Sequence, residues 1–389
     1  MPDFDRIDAE ALRRRRCAKW AGASGDMLSA SVADMDFTAP EPIVRTLASM
    51  LSASDLGYPP TPVPEGLPSI FAGRMQERFG WHVDPERVEV LTDVVQGLHL
   101  AIAAFSETGA QLITPNPIYP PFLEALRATR RVPVWLRYRA TEEGYRFDVE
   151  RARAELTDGT RMLLLCNPHN PTGRVHTADE LEALAALAIE RDLIVVSDEI
   201  HADLVYPGSA HVPIARLGSE VAARTVTLTS ATKAFNIAGL RCAVAVFGSA
   251  ELQRRFARID RHVRGGLNSF GLAATAAAWT ECQPWQDDVL QYLEANRDFV
   301  AGYVRSNWPE VTHFPPQATY LSWLDFRSLA LEPTPQEFFI DHARVRLAAG
   351  EDFGDSGRGY ARLNFATSRA ILIEILERMN AALRSRTSR

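Results

Sequence analysis

The 389-residue sequence lacks any run of about 18 apolar residues, so it predicts no membrane-spanning helix. It has only four cysteines, which lie far apart without CxxC or Cys/His spacing, and we expect reduced thiols and no metal site. Positive charge is not in excess, because 42 Lys and Arg against 49 Asp and Glu give a net charge of −7, which argues against a general nucleic-acid binder. The first residues show no apolar stretch typical of secretory signals, and we therefore expect a cytoplasmic protein without membrane or nucleic-acid partners.

The sequence does contain the alternation of short strands and helices that is typical of an α/β protein. The composition, 46% hydrophobic and 23% charged, is ordinary for a globular enzyme. Between about residues 88 and 250, β-rich runs alternate with helical stretches, which predicts a doubly wound, mostly parallel sheet. The predicted strands are Val88–Leu91, Gln111–Thr114, Val132–Leu136, Met162–Cys166, Leu193–Ser197, Thr225–Thr229 and Cys242–Phe247. Several are apolar throughout, as expected for parallel strands covered on both faces.

The pattern changes after residue 250, where long helical stretches are followed by short strands that alternate with helices. This change predicts a second, smaller α+β domain at the C-terminal end of the chain. We expect an N-terminal segment that packs near the smaller domain, a large domain and a small domain, with limits 1–45, 46–285 and 286–389. The clearest single helix runs from Ala178 to about Arg191, because Thr177 and Glu180 have the spacing of a capping box.

Polar residues follow three of the predicted strands, at the strand ends where ligands bind in an open α/β sheet. Asn170 follows the fourth strand in NPHNPTG, Asp198 follows the fifth in DEIHAD, and Lys233 follows the sixth in SATK. An amide, a carboxylate and a lysine can therefore converge on one ligand. Pyridoxal phosphate needs such a set, because a lysine forms its Schiff base, a carboxylate keeps its ring nitrogen protonated, and donors bind its oxygens. Each residue alone is a weak signal, whereas their order and spacing together are specific.

Four longer motifs carry a family resemblance: VADMDF at 32–37, PHNPTGRV at 168–175, DEIHADLVY at 198–206 and KAFNIAGL at 233–240. With them, nearly the whole chain resembles the fold-type I pyridoxal-phosphate enzymes, the class I/II aminotransferase superfamily. The finer resemblance is to the MalY/PatB-type cystathionine β-lyase (C–S lyase) branch. The first and third motifs are the more diagnostic, because aminotransferases usually have Tyr at the position of His201.

The resemblance implies a role for each residue around the cofactor ring. Lys233 would be the Schiff-base lysine and the proton shuttle, and Asp198 would pair with the pyridine nitrogen. Asn170 would hydrogen-bond the ring oxygen, and Tyr119 would stack on the ring. His201 is either a neighbour of the ring or a buried structural histidine, and the sequence leaves both interpretations open.

The resemblance also implies a phosphate site. Ser230 and Thr232 would supply hydroxyl donors, and Arg241 lies eight residues after the lysine, where many aminotransferases have a phosphate-binding arginine. The backbone N–H groups of Val94 and Val95 would begin a helix directed at the phosphate, where the helix dipole favours an anion.

Two further residues are implied to act on the substrate and across a subunit interface. Arg362 would bind the substrate α-carboxylate as a planar fork, next to Tyr119 and Asn170. Tyr58 would reach the phosphate of a neighbouring subunit, which implies a homodimer with its active sites at the interface. The alternative for Tyr58 is an interface aromatic residue with no role in the site.

The activity that the resemblance implies is β-elimination at a C–S bond, with L-cystathionine or another cysteine S-conjugate as the small-molecule substrate. Lys233 would remove the Cα proton, a thiolate would leave from Cβ, and pyruvate and ammonia would follow. Two alternatives stay open at this point. An aminotransferase would use the same core residues, and a regulatory protein could retain the fold without the reaction.

Overall fold

The computed structural model describes residues 4–60, 66–142 and 144–387. In chain order its strands are β1 (Leu28–Ala30), β2 (Val88–Leu91), β3 (Gln111–Asn116), β4 (Val132–Thr141), β5 (Gly144–Phe147), β6 (Thr160–Cys166), β7 (Ile194–Asp198), β8 (Thr225–Thr229), β9 (Ala243–Phe247), β10 (Thr312–His313), β11 (Leu321–Asp325), β12 (Val345–Ala349) and β13 (Tyr360–Asn364). Its helices are α1 (Ala9–Arg13), α2 (Glu41–Ser52), α3 (Leu67–Phe79), α4 (Val94–Phe105), α5 (Pro120–Thr129), α6 (Val149–Ala154), α7 (Ala178–Glu190), α8 (Ser219–Ala223), α9 (Ala250–Ala257), α10 (Ser269–Glu281), α11 (Gln283–Asn307), α12 (Pro335–Ala343) and α13 (Arg369–Thr387).

Eight of these strands form one sheet in the spatial order β2-β9-β8-β7-β6-β3-β4-β5. The five central strands β8, β7, β6, β3 and β4 run parallel, and β9 is antiparallel to both of its neighbours. The predicted doubly wound, mostly parallel sheet is therefore confirmed. Helices cover both of its faces, since Met162 and Leu164 of β6 belong to the apolar cluster that contains α4 and α5 side chains, whereas Leu163 and Leu165 belong to the cluster that contains those of α7.

The observed strands match the predicted ones within two residues, except at β4. That strand continues to Thr141 and forms a hairpin with β5, which the sequence analysis did not predict. Charged residues interrupt the apolar pattern there, because the hairpin lies at the edge of the sheet and part of it faces water.

Helix α7 illustrates how the local sequence defines the connections of this sheet. The Thr177 hydroxyl accepts from the Glu180 backbone N–H at 3.3 Å, and the Glu180 carboxylate accepts from the Thr177 N–H at 3.0 Å. This capping box satisfies two N–H groups that lack helical partners, so the helix begins where predicted. The helix ends at Glu190, one residue before the predicted end.

The five remaining strands form a second sheet in the order β1-β12-β13-β11-β10. Its first strand comes from the N-terminal part of the chain and pairs in parallel with β12, with Leu28 opposite Val345. Neither β1 nor β12 was predicted, because both are short and lack a clear alternation of apolar and polar residues. The limits of the three predicted parts of the chain stay a prediction.

The described ranges contain no helix whose length and hydropathy would let it span a membrane. The parallel strands β6, β7 and β8 all end at one edge of the large sheet, because they run in the same direction. The residues that follow these strands, including Asn170, Asp198 and Lys233, consequently lie together.

Candidate active site

A cavity of about 500 Å³ lies at this edge of the large sheet. Ten of the residues singled out in the sequence line it: Val94, Val95, Tyr119, Asn170, Asp198, His201, Ser230, Thr232, Lys233 and Arg241. Arg362 joins them through a hydrogen bond to Asn170. Tyr58 does not lie there, since its side chain is fully exposed on the surface of the chain.

Lys233 follows β8 and brings its amine into the cavity. Its Nζ donates a hydrogen bond to the Ala33 carbonyl oxygen at 2.7 Å and lies 3.6 Å from a carboxylate oxygen of Asp34. Burial lowers the pKa of the amine, and so does the nearby Arg362 guanidinium, whereas the Asp34 carboxylate acts in the opposite direction. A lowered pKa increases the fraction of neutral amine, which is the form that attacks a carbonyl carbon or removes a proton.

Asp198 is the last residue of β7 and is almost fully buried. One carboxylate oxygen accepts from the Ile200 backbone N–H at 3.0 Å. Burial raises the pKa of this carboxyl to about 7, and the charge of Glu199 contributes in the same direction. A carboxylate in such a place becomes stable once a cation binds beside it, and a protonated pyridine nitrogen is a cation of this kind.

The N-terminal end of α4 also lines the cavity. Asp93 caps this helix by accepting from the Gln96 N–H at 2.8 Å, and the N–H groups of Val94 and Val95 are among those that a helix leaves without internal partners. Arg241 lies at the same place, with Nη1 2.6 Å from the Asp93 carboxylate.

The loop after β8 adds two hydroxyl groups to the lining of the cavity. Ser230 Oγ lies 2.8 Å from Thr232 Oγ1 and accepts from the Thr232 N–H at 3.1 Å. Together with the helix N-terminus and Arg241, these hydroxyls form a set of donors suited to a phosphate dianion.

Arg362 on β13 binds to residues from two distant parts of the chain. Its Nη1 donates to Asn170 Oδ1 at 2.8 Å, and its Nη2 donates to the Ser31 carbonyl oxygen at 2.8 Å. The guanidinium lies 4.9 Å from the centre of the Phe353 ring, and burial lowers its pKa to about 10. Its Nε is buried and has no hydrogen-bond acceptor among the described residues, so the fork retains a donor for an incoming carboxylate.

His201 and Tyr119 complete the walls. His201 is buried with its ring edge-on to Tyr320 at 6.3 Å, and burial lowers the pKa of its imidazole to about 3, so the ring is neutral. The residue borders the cavity and is buried, which agrees with either interpretation of it. Tyr119 lies at the start of α5, and burial raises the pKa of its phenol.

Four residues that the sequence analysis did not assign belong to this site: Asp34, Asp93, Gln96 and Tyr320. Asp93 stands directly before a helix and could have been recognised as its N-cap. Asp34 lies inside VADMDF, a motif used only as a family marker. Nothing in the local sequence around Tyr320 indicates that its hydroxyl donates to the Ala33 carbonyl oxygen at 2.8 Å.

The arrangement fits pyridoxal phosphate and an amino acid. The Lys233 amine and the buried Asp198 carboxylate line the same cavity as the donors that suit a phosphate. The buried arginine with an unused N–H group stands beside the lysine.

Comparisons with known proteins agree with this geometry. The family model described as aminotransferase class I and II matches residues 31–379. Cystathionine beta-lyase PatB of Bacillus subtilis is 34% identical over 97% of this chain and 98% of its own length. Among solved structures, OvoB has a TM-score of 0.94 at 37% identity, covering 99% of this chain and all of its own. Cystalysin of Treponema denticola, which contains a pyridoxal 5′-phosphate cofactor, has a TM-score of 0.92 at 28% identity with 99% of both chains covered. The chain therefore belongs to the class I and II aminotransferase family and, within it, to the branch of the cystathionine β-lyases.

Proposed function

We propose that this protein is a pyridoxal-phosphate-dependent carbon–sulfur β-lyase, which cleaves L-cystathionine or another cysteine S-conjugate to a thiol, pyruvate and ammonia. The observation that carries the proposal is one cavity lined by Lys233 and Asp198, with Arg362 hydrogen-bonded to Asn170 of the same lining. Both a lyase and an aminotransferase would use these three residues, so the residues do not distinguish the two reactions. The full-length similarity to a cystathionine β-lyase supports the lyase.

The cofactor, when bound, supplies an electron-accepting ring that takes up the charge left at Cα. Asp198 would hold the ring nitrogen in its protonated form, and Asn170 would donate to the ring oxygen. Tyr119 would pack against the ring, with neutral His201 on the adjoining wall. The phosphate would bind at the N-terminal end of α4, to the N–H groups of Val94 and Val95 and to Ser230, Thr232 and Arg241.

The chain's own residues then position the substrate and move a proton. Arg362 binds the α-carboxylate, and this places the Cα–H bond near the Lys233 amine. The neutral amine removes the Cα proton and becomes an ammonium group. As the Cβ–S bond breaks, the electron pair of that bond leaves with sulfur, and the ammonium group donates the proton to the thiolate.

The test is a product assay on the purified protein loaded with cofactor. L-cystathionine and S-methyl-L-cysteine are supplied without a keto acid, and pyruvate, ammonia and free thiol are measured. We expect pyruvate and thiol in equal amounts, and neither from Lys233→Ala. Transfer of the amino group that requires an added keto acid, with no pyruvate in its absence, would show an aminotransferase instead.

The homodimer is part of the proposal. Tyr58 is fully exposed and lies outside the cavity of its own chain, as expected for a residue that serves the site of a second copy. Co-expression of Lys233→Ala and Tyr58→Ala chains tests this. If Tyr58 acts across the interface, the mixed dimer has one intact site and is more active than either parent. If Tyr58 acts within its own chain, mixing restores nothing.

A further inference from the structure

Residues 31–37, which include the VADMDF motif, pass directly beside the Lys233 amine and are held there by side chains from distant parts of the chain. Arg362 donates a hydrogen bond to the Ser31 carbonyl oxygen, and Asn364 donates to those of Val32 and Asp34. Lys233 and Tyr320 both donate to the Ala33 carbonyl oxygen. Lys19 also donates to the Asp34 carbonyl oxygen. Residues 31–34 are therefore held by these five side chains before any substrate binds, and Asn236 holds the rest of the segment through the Met35 N–H and the Phe37 carbonyl oxygen.

The fixed backbone directs Asp34 at the lysine. A carboxylate oxygen of Asp34 lies 3.6 Å from Lys233 Nζ, and the two side chains are 25% and 19% exposed, respectively. Water therefore screens the attraction only in part. The other titratable or charged side chains that face the amine are Asp198, Arg362, His201, Tyr119 and Tyr320.

Within this set Asp34 differs from Asp198. Under the proposed function Asp198 is committed to the ring nitrogen, so its charge is matched by the cofactor. Arg362 is a fixed cation, and His201 is neutral. Asp34 is consequently the carboxylate that stays free to compensate a positive charge on the lysine.

We propose that Asp34 is the counter-ion of Lys233, which stabilises the ammonium form that the lysine adopts after it removes the Cα proton and so increases its strength as a base. This inference rests on the proposed function. Asp34 forms no covalent bond in the reaction. The proton moves from Cα to Nζ and from Nζ to the leaving sulfur, as in the reaction above. Asp34 raises the pKa of the lysine, whereas burial and Arg362 lower it, and this agrees with the role of a counter-ion.

The lysine content makes a direct test possible. The chain has two lysines, Lys19 and Lys233, and Lys19 is buried against Asp36 at 2.9 Å. In cofactor-free protein, the rate of modification of Lys233 by trinitrobenzenesulfonate, measured by peptide mass spectrometry as a function of pH, gives the pKa of that amine. Because the Lys19 amine is buried, the peptide that contains it stays unmodified as long as the protein remains folded, and this checks that the reagent reports on the native state.

We expect Asp34→Asn to lower the pKa of Lys233 by about one unit, because an opposite charge within about 4 Å shifts a pKa by this order. Asp26→Asn is the matched control, since it removes the same charge from an exposed side chain of the N-terminal segment that pairs with Arg344 and Arg378. It leaves the pKa of Lys233 unchanged. A pKa of Lys233 that is equal in Asp34→Asn and the wild type overturns the proposal.

Kinetics of the loaded enzyme separate a charge role from a structural one. Asp34→Asn lowers kcat for L-cystathionine about tenfold, changes KM by less than about threefold, and moves the lysine limb of the pH profile to lower pH. Asp34→Glu keeps the charge and restores most of kcat. A loss of thermal stability with raised KM and no movement of the limb, or a failure of Asp34→Glu to restore kcat, overturns the proposal. Absence of pyruvate from the wild type refutes the proposed function instead, and the modification experiment then still decides whether Asp34 is the counter-ion.

Discussion

Replacement of Lys19 by methionine tests how much the buried ion pair behind the active site contributes to stability. Lys19 Nζ donates to an Asp36 carboxylate oxygen at 2.9 Å and to the Asp34 carbonyl oxygen at 3.2 Å, and both side chains of the pair are 1% exposed. Trp20 Nε1 donates to the other Asp36 oxygen at 2.7 Å. Methionine fills a similar volume but leaves the Asp36 charge in the interior with the indole as its remaining side-chain donor.

Removal of one partner of a buried ion pair costs about 3–5 kcal/mol, chiefly because the other charge stays buried without compensation. With about 2 cal/mol/K of unfolding entropy per residue, this corresponds to a fall of roughly 5 °C in Tm for a chain of this length. The double variant Lys19→Met/Asp36→Asn no longer buries a charge. We therefore expect it to recover more than half of the lost free energy of unfolding.

Urea unfolding of the four proteins of this cycle, followed by fluorescence, gives the coupling energy of the pair. Arg14→Met is the matched control, because Arg14 pairs with Glu10 at the surface and its loss costs less than about 1 kcal/mol. A Lys19→Met protein as stable as the wild type, or a double variant whose loss equals the sum of the single losses, would refute the reasoning.

The remaining predictions concern the cavity itself. Arg362→Lys removes the planar fork and lowers kcat/KM for L-cystathionine at least thirtyfold, about 2 kcal/mol, with the loss mainly in KM; an unchanged KM would contradict carboxylate binding by Arg362. Arg241→Ala weakens cofactor binding about tenfold in an absorbance titration, since a charged phosphate contact is lost; unchanged affinity would place the phosphate elsewhere. Burial raises the pKa of Asp198 from 3.8 to about 7 in the cofactor-free protein, so the folded state favours the protonated carboxyl. The free energy of unfolding is therefore highest, as far as this group is concerned, below pH 3.8 and falls as the pH rises through 7. Asp198→Asn is therefore as stable as the wild-type cofactor-free protein near pH 4 and more stable at pH 8, by at most about 4 kcal/mol. Thermal unfolding at both pH values measures the difference in stability between Asp198→Asn and the wild type. An Asp198→Asn protein that is less stable than the wild type at pH 8 would contradict the prediction.

The central sheet was predictable because its signals are local. Short runs rich in apolar and β-branched residues mark the parallel strands, and the capping residues Thr177 and Glu180 mark the start of α7. The positions of Asn170, Asp198 and Lys233 follow from the sheet, because parallel strands end at one edge.

The contacts that were missed are long-range in sequence. Asp34 lies about 200 residues before Lys233, and Tyr320 is almost 90 residues after it, so no local pattern relates them. β1 depends on pairing with β12 more than 300 residues away, and three residues are too few to show a period. The β4–β5 hairpin was missed for a different reason, since Arg137 and Arg139 end the continuous apolar run by which the buried strands were recognised.

The two hydrogen bonds that hold Arg362 have a consequence for substrate choice. A free arginine side chain loses about 2 kcal/mol of rotamer entropy when a ligand immobilises it. In this protein Asn170 and Ser31 impose that loss at folding, so a carboxylate meets a guanidinium that is already in place. Because the guanidinium is held in place, it binds a carboxylate only at a fixed distance from the reacting carbon. It does not move to bind a ligand whose anionic group lies elsewhere. Variation among accepted substrates is therefore confined to the sulfur substituent, and S-substituted cysteamines, which have no carboxylate, are rejected whatever thiol they carry.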